Sequence, residues 1–386
     1  MNTHALEILR PLGKLEQFSS ARHHLGFYNN VGVSAHYTAP QEQEACDSSI
    51  RDHVFRAVAV VIQEHAILSA IPIDEDTPSP YFARLPTINL SRAVSFVTRV
   101  DASEPGGDGE LDSLLEREHN TNFNADYGSL PFWRLVIVQM VGVFTEFTAC
   151  FIFHHALADG VSGLVFHKSL QAALNKFDRT SKSMSQTIIT SPNIPLLPSL
   201  ETLHPLPIPP RSETPVPPTL EEWTGQKIAL PCITRFKHLS ISATKSKAFL
   251  TACKENNTTL TSALSALIAI HLFALTPQTT QTLTCVIPVS LRRWLPTEPT
   301  TNTMGVWIDA FKVHFQRPPT TSISSAQNPA TIWNQAHHCQ TAIKTYLSHT
   351  GTLTNVSRFK QIPNMSTLFI SRIGETRDSA FEVSNL

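Results

Sequence analysis

Apolar and polar residues recur with two different periods along this chain, and each switch of period marks an element. From Glu44 to Leu68, Val54, Ala57, Val58, Val61 and Ile62 return at helical spacing with charges between them, which predicts a helix. A strand is predicted near Ser95 to Arg99. Trp133 to Met140, a turn around Gly142 to Thr145, and Phe147 to Phe153 read as a hairpin rich in β-branched and aromatic residues. After Asp159 the period becomes helical again through Val161, Leu164, Val165, Leu170 and Leu174, with Asp159 placed as an N-cap acceptor. The later part repeats this logic. A helix from Leu260 to Leu275 is capped by Thr259 or Thr261, a strand covers Thr282 to Val289 and runs into Ser290–Arg293, a further strand lies near Val306 to Phe315, and His337–Gln340 looks helical.

Between Pro192 and Pro218 proline is dense, as in Leu203-His204-Pro205-Leu206-Pro207-Ile208-Pro209-Pro210. Proline fixes φ, removes an amide donor and disfavours helix in the residue before it, so this stretch is expected to be extended, neither helix nor interior strand, and to serve as a plain linker. The chain then divides into residues 1–190, a crossover over 191–231, and residues 232–386. The fold class that follows is α/β, in two halves.

Composition narrows the function classes. A net charge of −1 over 386 residues gives no overall pull toward nucleic acid or an anionic membrane. No run of ~18 apolar residues occurs and the N-terminus lacks a secretory pattern, so no membrane span and a cytoplasmic location are expected. Six cysteines, Cys46, Cys150, Cys232, Cys253, Cys285 and Cys339, form no C-x-x-C pair and no zinc spacing; they read as reduced core thiols, and no metal is expected.

The segment Phe151-Ile152-Phe153-His154-His155-Ala156-Leu157-Ala158-Asp159-Gly160 carries the candidate chemistry. An apolar strand delivers two histidines to its end, and a helix opens four residues later. Of the three His-His pairs, His23-His24, His154-His155 and His337-His338, only the middle one has this context. A neutral imidazole takes a proton from an alcohol or amine near neutral pH, which suits general-base attack on an activated acyl group. Strand alternation sends the two side chains to opposite faces, so one addresses a pocket and the other does not; the residues alone leave open which. Asp159 reads either as an orienter of the imidazole or as a structural residue.

His154-His155-x-x-x-Asp159-Gly160 resembles the H-H-x-x-x-D-G signature of the coenzyme A-dependent acyltransferase superfamily, which holds fungal alcohol acetyltransferases, plant acyltransferases, chloramphenicol acetyltransferase and condensation domains. Arg10-Pro11-Leu12-Gly13-Lys14-Leu15-Glu16, Pro131-Phe132-Trp133-Arg134-Leu135, Asn302-Thr303-Met304-Gly305 and Ser384-Asn385-Leu386 resemble segments of the fungal alcohol acetyltransferases in particular. The resemblance implies two chloramphenicol-acetyltransferase-like α/β subdomains joined by the proline-rich crossover, with an active-site tunnel between them. It implies His155 as general base, His154 as a packing neighbour, and Asp159 as a structural, loop-orienting partner of an arginine. That arginine is Arg292 in Pro288-Val289-Ser290-Leu291-Arg292, or Arg293 in a shifted register. Gly160 is expected to let the chain turn and to keep the tunnel mouth clear, and Asn302 and Gly305 to touch substrate.

The implied reaction is acyl transfer, above all O-acetylation, from acetyl-CoA or another acyl-CoA to a small lipophilic alcohol or secondary metabolite (or an amine), by a monomer with no permanently bound cofactor. Arg235, Lys237, Lys245 and Lys247 read as solvated surface charge, with coenzyme phosphate contact as the other reading. Family members continue past the Ser384-Asn385-Leu386 point, so the C-terminal half is expected to be shortened and the second subdomain incomplete. The competing expectations are a catalytically impaired relative acting as a binding protein and a condensation-type enzyme taking acyl groups from a carrier protein.

Overall fold

The hairpin between residues 133 and 153 is the spine of the first half. A computed structural model describes residues 5–28, 30–38, 47–99, 108–143, 145–176, 186–191, 194–208, 220–318 and 328–386. In chain order its first half contains β1 (Glu7–Pro11), α1 (Lys14–His24), β2 (Val31–Thr38), α2 (Asp47–Glu64), β3 (Ala70–Ile73), β4 (Tyr81–Arg84), β5 (Thr87–Asn89), β6 (Val94–Arg99), α3 (Gly109–Asn120), β7 (Trp133–Met140), β8 (Glu146–Phe153), α4 (Gly160–Lys176) and β9 (Thr187–Ile189). The second half contains α5 (Ala243–Glu255), α6 (Leu260–Leu275), β10 (Thr282–Ser290), β11 (Ile308–Gln316), α7 (Pro329–Ser348), α8 (Met365–Ile370) and β12 (Phe381–Glu382). The fold is mixed α/β.

β8 is central in a sheet of order β2-β8-β7-β6, antiparallel to β2 and β7, while β6 runs parallel to β7. Successive residues of β2 face opposite sides, and a helix meets each of them. A Cβ on Gly32 would lie 2.7 Å from the His119 ring of α3, and one on Gly163 of α4 would lie 2.3 Å from Val33 Cγ2. The two helices therefore cover opposite faces, which is why β8 is apolar almost throughout. Phe151, paired with Val33 in the sheet, stacks on Phe166 of α4 with ring centroids 3.7 Å apart.

β1, β4 and β3 form a smaller sheet, and β5 pairs with β9. In the second half β10 is flanked by antiparallel β11 and parallel β12, with α6 and α7 packed together beside them. A third apolar cluster joins Leu15 of α1, Leu200, Leu206, Leu291, Leu295, Trp307 and Val356, drawing on both halves and on the proline-rich segment. Among the described residues no single helix is long and apolar enough to cross a membrane.

The expected helix over 44–68 stops at Glu64, and residues 44–46 lie outside the described residues. His65 turns extended (φ −117°, ψ 93°), and the apolar run after it forms a helical turn, Ala66–Ser69, and then β3. Short apolar runs fit either element, and here sheet pairing with β4 decides. The proline-rich segment also departs from expectation. Leu200–Leu203 is a helical turn, in a window without proline, and Leu200 and Leu206 are buried rather than merely spanning. Residues 209–219 lie outside the described residues. Cys150, Cys232, Cys253, Cys285 and Cys339 are free thiols; Cys46 is not described.

Because Gly163 leaves no room for a methyl against Val33, Gly163→Ala is expected to push α4 off β2. Denaturant unfolding should show a loss of about 1–3 kcal/mol from overpacking; a variant as stable as the parent would contradict the close approach.

Candidate active site

His154 and His155 follow β8 directly, and the structure sends them to different surroundings. The His155 ring lines a cavity of about 290 Å³ whose walls come from both halves, including Leu15, Phe18, Arg22 and Tyr28 on one side and Pro288, Ile308, Val356, Phe359 and Glu382 on the other. His155 Nδ1 lies 2.9 Å from the Ala158 carbonyl oxygen. A carbonyl only accepts, so Nδ1 carries the proton and Nε2 keeps its lone pair. Burial, followed by the positive charge of Arg22, lowers the His155 pKa to about 4. The ring is therefore neutral around pH 7.

His154 is fully buried on the other side, against Phe132 and His23, with ring centroids 5.4 and 4.3 Å away. Its Nδ1 accepts from the Ala156 amide at 3.0 Å, which leaves the ring proton on Nε2, 3.5 Å from Glu75 Oε2. Ser20 Oγ donates to the same carboxylate at 2.6 Å. Burial lowers the His154 pKa to about 3 and holds His23 well below the usual histidine range, while it raises Glu75. His23, Glu75 and His154 offer ligand atoms within 4.8 Å of one another, a spacing a divalent cation could bridge. The Ala156 amide argues against a cation there, since it puts a proton rather than a lone pair on the nitrogen facing Glu75; that nitrogen, His23 Nδ1 and Glu75 Oε1 are buried without a hydrogen-bond partner.

Asp159 turns away from His155. Its Oδ1 accepts from the Ser162 amide and hydroxyl, both at 2.8 Å, capping α4. Its Oδ2 accepts from Arg292 Nη1 at 2.6 Å and from the Trp307 amide at 3.1 Å. Arg292 Nη2 also donates to Ser162 Oγ at 2.9 Å, and its guanidinium lies 4.7 Å from the Trp307 ring. Arg293 lies over Trp294 instead. Gly305 joins this knot rather than the cavity: its amide donates to Ser162 Oγ at 3.0 Å, and its carbonyl accepts from the Asp159 amide at 3.2 Å.

Asn302, in a left-handed conformation (φ +57°), is exposed beside Lys168 and Lys176 of α4 and does not line the His155 cavity. Gly160 opens α4 without a left-handed φ. The turn does not demand glycine there, but a Cβ would lie 2.7 Å from Leu386 Cδ2. Arg235, Lys237, Lys245 and Lys247 are exposed, and Arg235 pairs with Glu116. Sequence reading did not single out Arg22, Tyr28, Glu75 or Ser162. Ser162, at the third position after an Asp N-cap, carried a legible capping signal; Glu75 and Arg22 carried none.

The sequence matches the model of the alcohol acetyltransferase family over residues 107–221 and 225–386. It is 43% identical to "Probable alcohol acetyltransferase crmB" of Aspergillus fumigatus, covering 97% of this chain and 83% of that protein. It is 26% identical to "Probable alcohol acetyltransferase FCK4" of Fusarium pseudograminearum, over 98% of this chain and 81% of that protein. Among solved structures, the TRI3 trichothecene 15-O-acetyltransferase of Fusarium sporotrichioides superposes with a TM-score of 0.63 at 14% identity, covering 95% of this chain and 78% of that one. The first condensation domain of the calcium-dependent antibiotic synthetase gives 0.57 at 12%, covering 99% and 80%. At such identities the structural likeness is one of fold.

Asp159→Asn puts an amide NH₂ where Arg292 and Trp307 both donate, leaving a largely buried guanidinium without its anion. Stability should fall by roughly 3 kcal/mol in denaturant unfolding, with turnover falling alongside. Lost turnover at unchanged stability would instead tie Asp159 to His155.

Proposed function

The chain belongs to the alcohol acetyltransferase family and is an acyltransferase, and on that premise we propose that it carries an acetyl group from acetyl-CoA to the hydroxyl of a small lipophilic alcohol, with His155 as general base. An acyl-CoA donor is what the family's reaction implies. The observation that carries the assignment of the base is the His155 Nδ1 contact with the Ala158 carbonyl, which leaves the Nε2 lone pair on a ring at the cavity wall. Apolar walls from Leu15, Phe18, Ile308 and Phe359 suit a lipophilic acceptor, and a volume of about 290 Å³ is near the lower end for ligand pockets (~300 Å³), which favours a small one.

Nε2 takes the acceptor's hydroxyl proton as its oxygen bonds to the thioester carbonyl carbon. The tetrahedral intermediate collapses with cleavage of the C–S bond, and the imidazolium returns its proton to the departing thiolate. The thioester is already activated, so no acyl-enzyme is required. Holding donor and acceptor together contributes up to about 7–11 kcal/mol, and the base a further ~10²–10⁴-fold. Asp159 and Arg292 serve structurally: they fix the loop after His155 against the second half. Residues 1–190 and 232–386 then act as two subdomains that share the cavity, with 191–231 crossing between them.

His155→Ala is expected to cut acetyl transfer by ~10²–10⁴-fold while leaving the unfolding transition in place; unimpaired thiol release from acetyl-CoA would end the assignment. The active form is the neutral ring, and its pKa lies near 4 rather than 6.5. Activity should therefore hold as pH falls from 7 to about 5 and drop only as pH passes through about 4, in a profile of kcat/KM against pH.

A further inference from the structure

Arg22, on the last turn of α1, lines the same cavity as His155 without a partner of its own. Its guanidinium carbon lies 4.4 Å from the Phe18 ring centre and 4.7 Å from that of Tyr28. The Arg22 carbonyl accepts from the Phe27 and Tyr28 amides at 2.8 and 3.2 Å, which folds the following loop back so that Tyr28 covers the side chain of the residue it hangs from. Tyr28 in turn lies 6.0 Å, ring to ring, from His155. Two aromatic faces hold the guanidinium and leave its N–H edge unused. Among the described residues no hydrogen bond or ion pair reaches it, and Nε is buried without a partner. Glu382 of β12 attracts it from across the cavity without forming an ion pair. Burial works against the charge, lowering the Arg22 pKa. A desolvated guanidinium without a carboxylate is costly, and an anion arriving in the cavity would offset that cost.

The acyl transfer described above generates such an anion beside His155, on the oxygen of the thioester carbonyl. Resting on that reading, we propose that Arg22 is a catalytic residue: its free N–H groups receive the thioester carbonyl oxygen and hold the negative charge that gathers there in the transition state. As the acceptor oxygen bonds to the carbonyl carbon, the C=O π pair moves onto the oxygen facing Arg22. It returns to re-form the carbonyl as the C–S bond breaks. Arg22 stays protonated throughout, and His155 moves the only proton. Donors held ready for a developing oxyanion act on the transition state more than on the ground state.

The same charge bears on His155, whose pKa it depresses second only to burial. The other groups near that ring are Tyr28, His154 and Asp159 on its own side, and Glu382 and Asp309 across the cavity. The Asp309 carboxylate is already taken up by Tyr346, Asn355 and Val356. Arg22 is therefore the cation whose loss should move the base.

The test uses the full chain as wild type, Arg22→Lys and Arg22→Gln, with acetyl-CoA and a series of primary alcohols, following thiol release and checking each fold by near-UV circular dichroism. Arg22→Gln should lose ~10²–10³-fold in kcat with KM for acetyl-CoA and alcohol within about threefold, Arg22→Lys should fall between, and the acid limb of kcat/KM in Arg22→Gln should move up toward that of an ordinary histidine. Wild-type kcat in Arg22→Gln overturns the proposal. A raised KM at unchanged kcat also overturns it, because Arg22 would then grip an anionic group of bound substrate. Equal losses in both variants with an unmoved limb would make the residue structural. If Arg22→Gln misfolds, Arg22→Lys decides alone: wild-type kcat, or an intermediate loss carried by KM, overturns the proposal. If the wild type releases no thiol with any alcohol, the acetyl-transfer reading falls and Arg22's role with it, an outcome distinct from an active wild type with an equally active variant.

Discussion

One buried carboxylate, together with the apolar cluster around Leu15 and Trp307, ties the two halves of this enzyme together. Asp159 spends both oxygens on four donors, two within its own helix start and two from the second half, Arg292 and the Trp307 amide. A fully buried anion is tolerated only when its lone pairs are used, and here they are. Ser162 and Gly305 close the knot from either side. Because the loop from Ala156 to Asp159 also supplies the carbonyl that orients His155, the clamp that joins the halves and the device that sets the imidazole tautomer are four residues of one turn.

The same turn explains how adjacent histidines came to have unrelated duties. His155 faces the cavity with a lone pair, whereas His154 faces a buried carboxylate with a proton, and in each case one backbone group decides: the Ala158 carbonyl for the first, the Ala156 amide for the second. Both rings are neutral through burial, so the distinction is one of tautomer rather than charge. The pair works as two opposed faces of one strand end.

Much of this was legible in the chain. The β7–β8 hairpin, α4 with its Asp159 cap, α6 and β10 all follow strong periodic patterns that packing had no reason to override, and Thr259 proves to be the α6 cap through its bond to the Ser262 amide. The β1-β4-β3 sheet and β12 were not legible: their strands have two to five residues, too few for a period. His155, Asp159 and Arg292 stand out in the chain because their neighbours in sequence announce them. Arg22, Tyr28 and Glu75 announce nothing, since what makes each matter lies in other elements. Asn302 and Gly305 show the reverse case: a recognisable segment whose glycine joins the Asp159–Arg292 knot and whose asparagine lies outside the cavity.

The Asp159–Arg292 contact closes a loop of 133 residues, and the cavity walls on the two sides of His155 are separated by still longer stretches. Long loops are entropically slow to close, so such contacts come late in folding. During synthesis, the histidine motif emerges well before Arg292, Val356 and Phe359 exist. Nascent chains therefore carry an oriented strand end with no chamber to use it. The cavity around His155 exists only when both halves are in place, and its first appearance during refolding would time the docking of one half on the other.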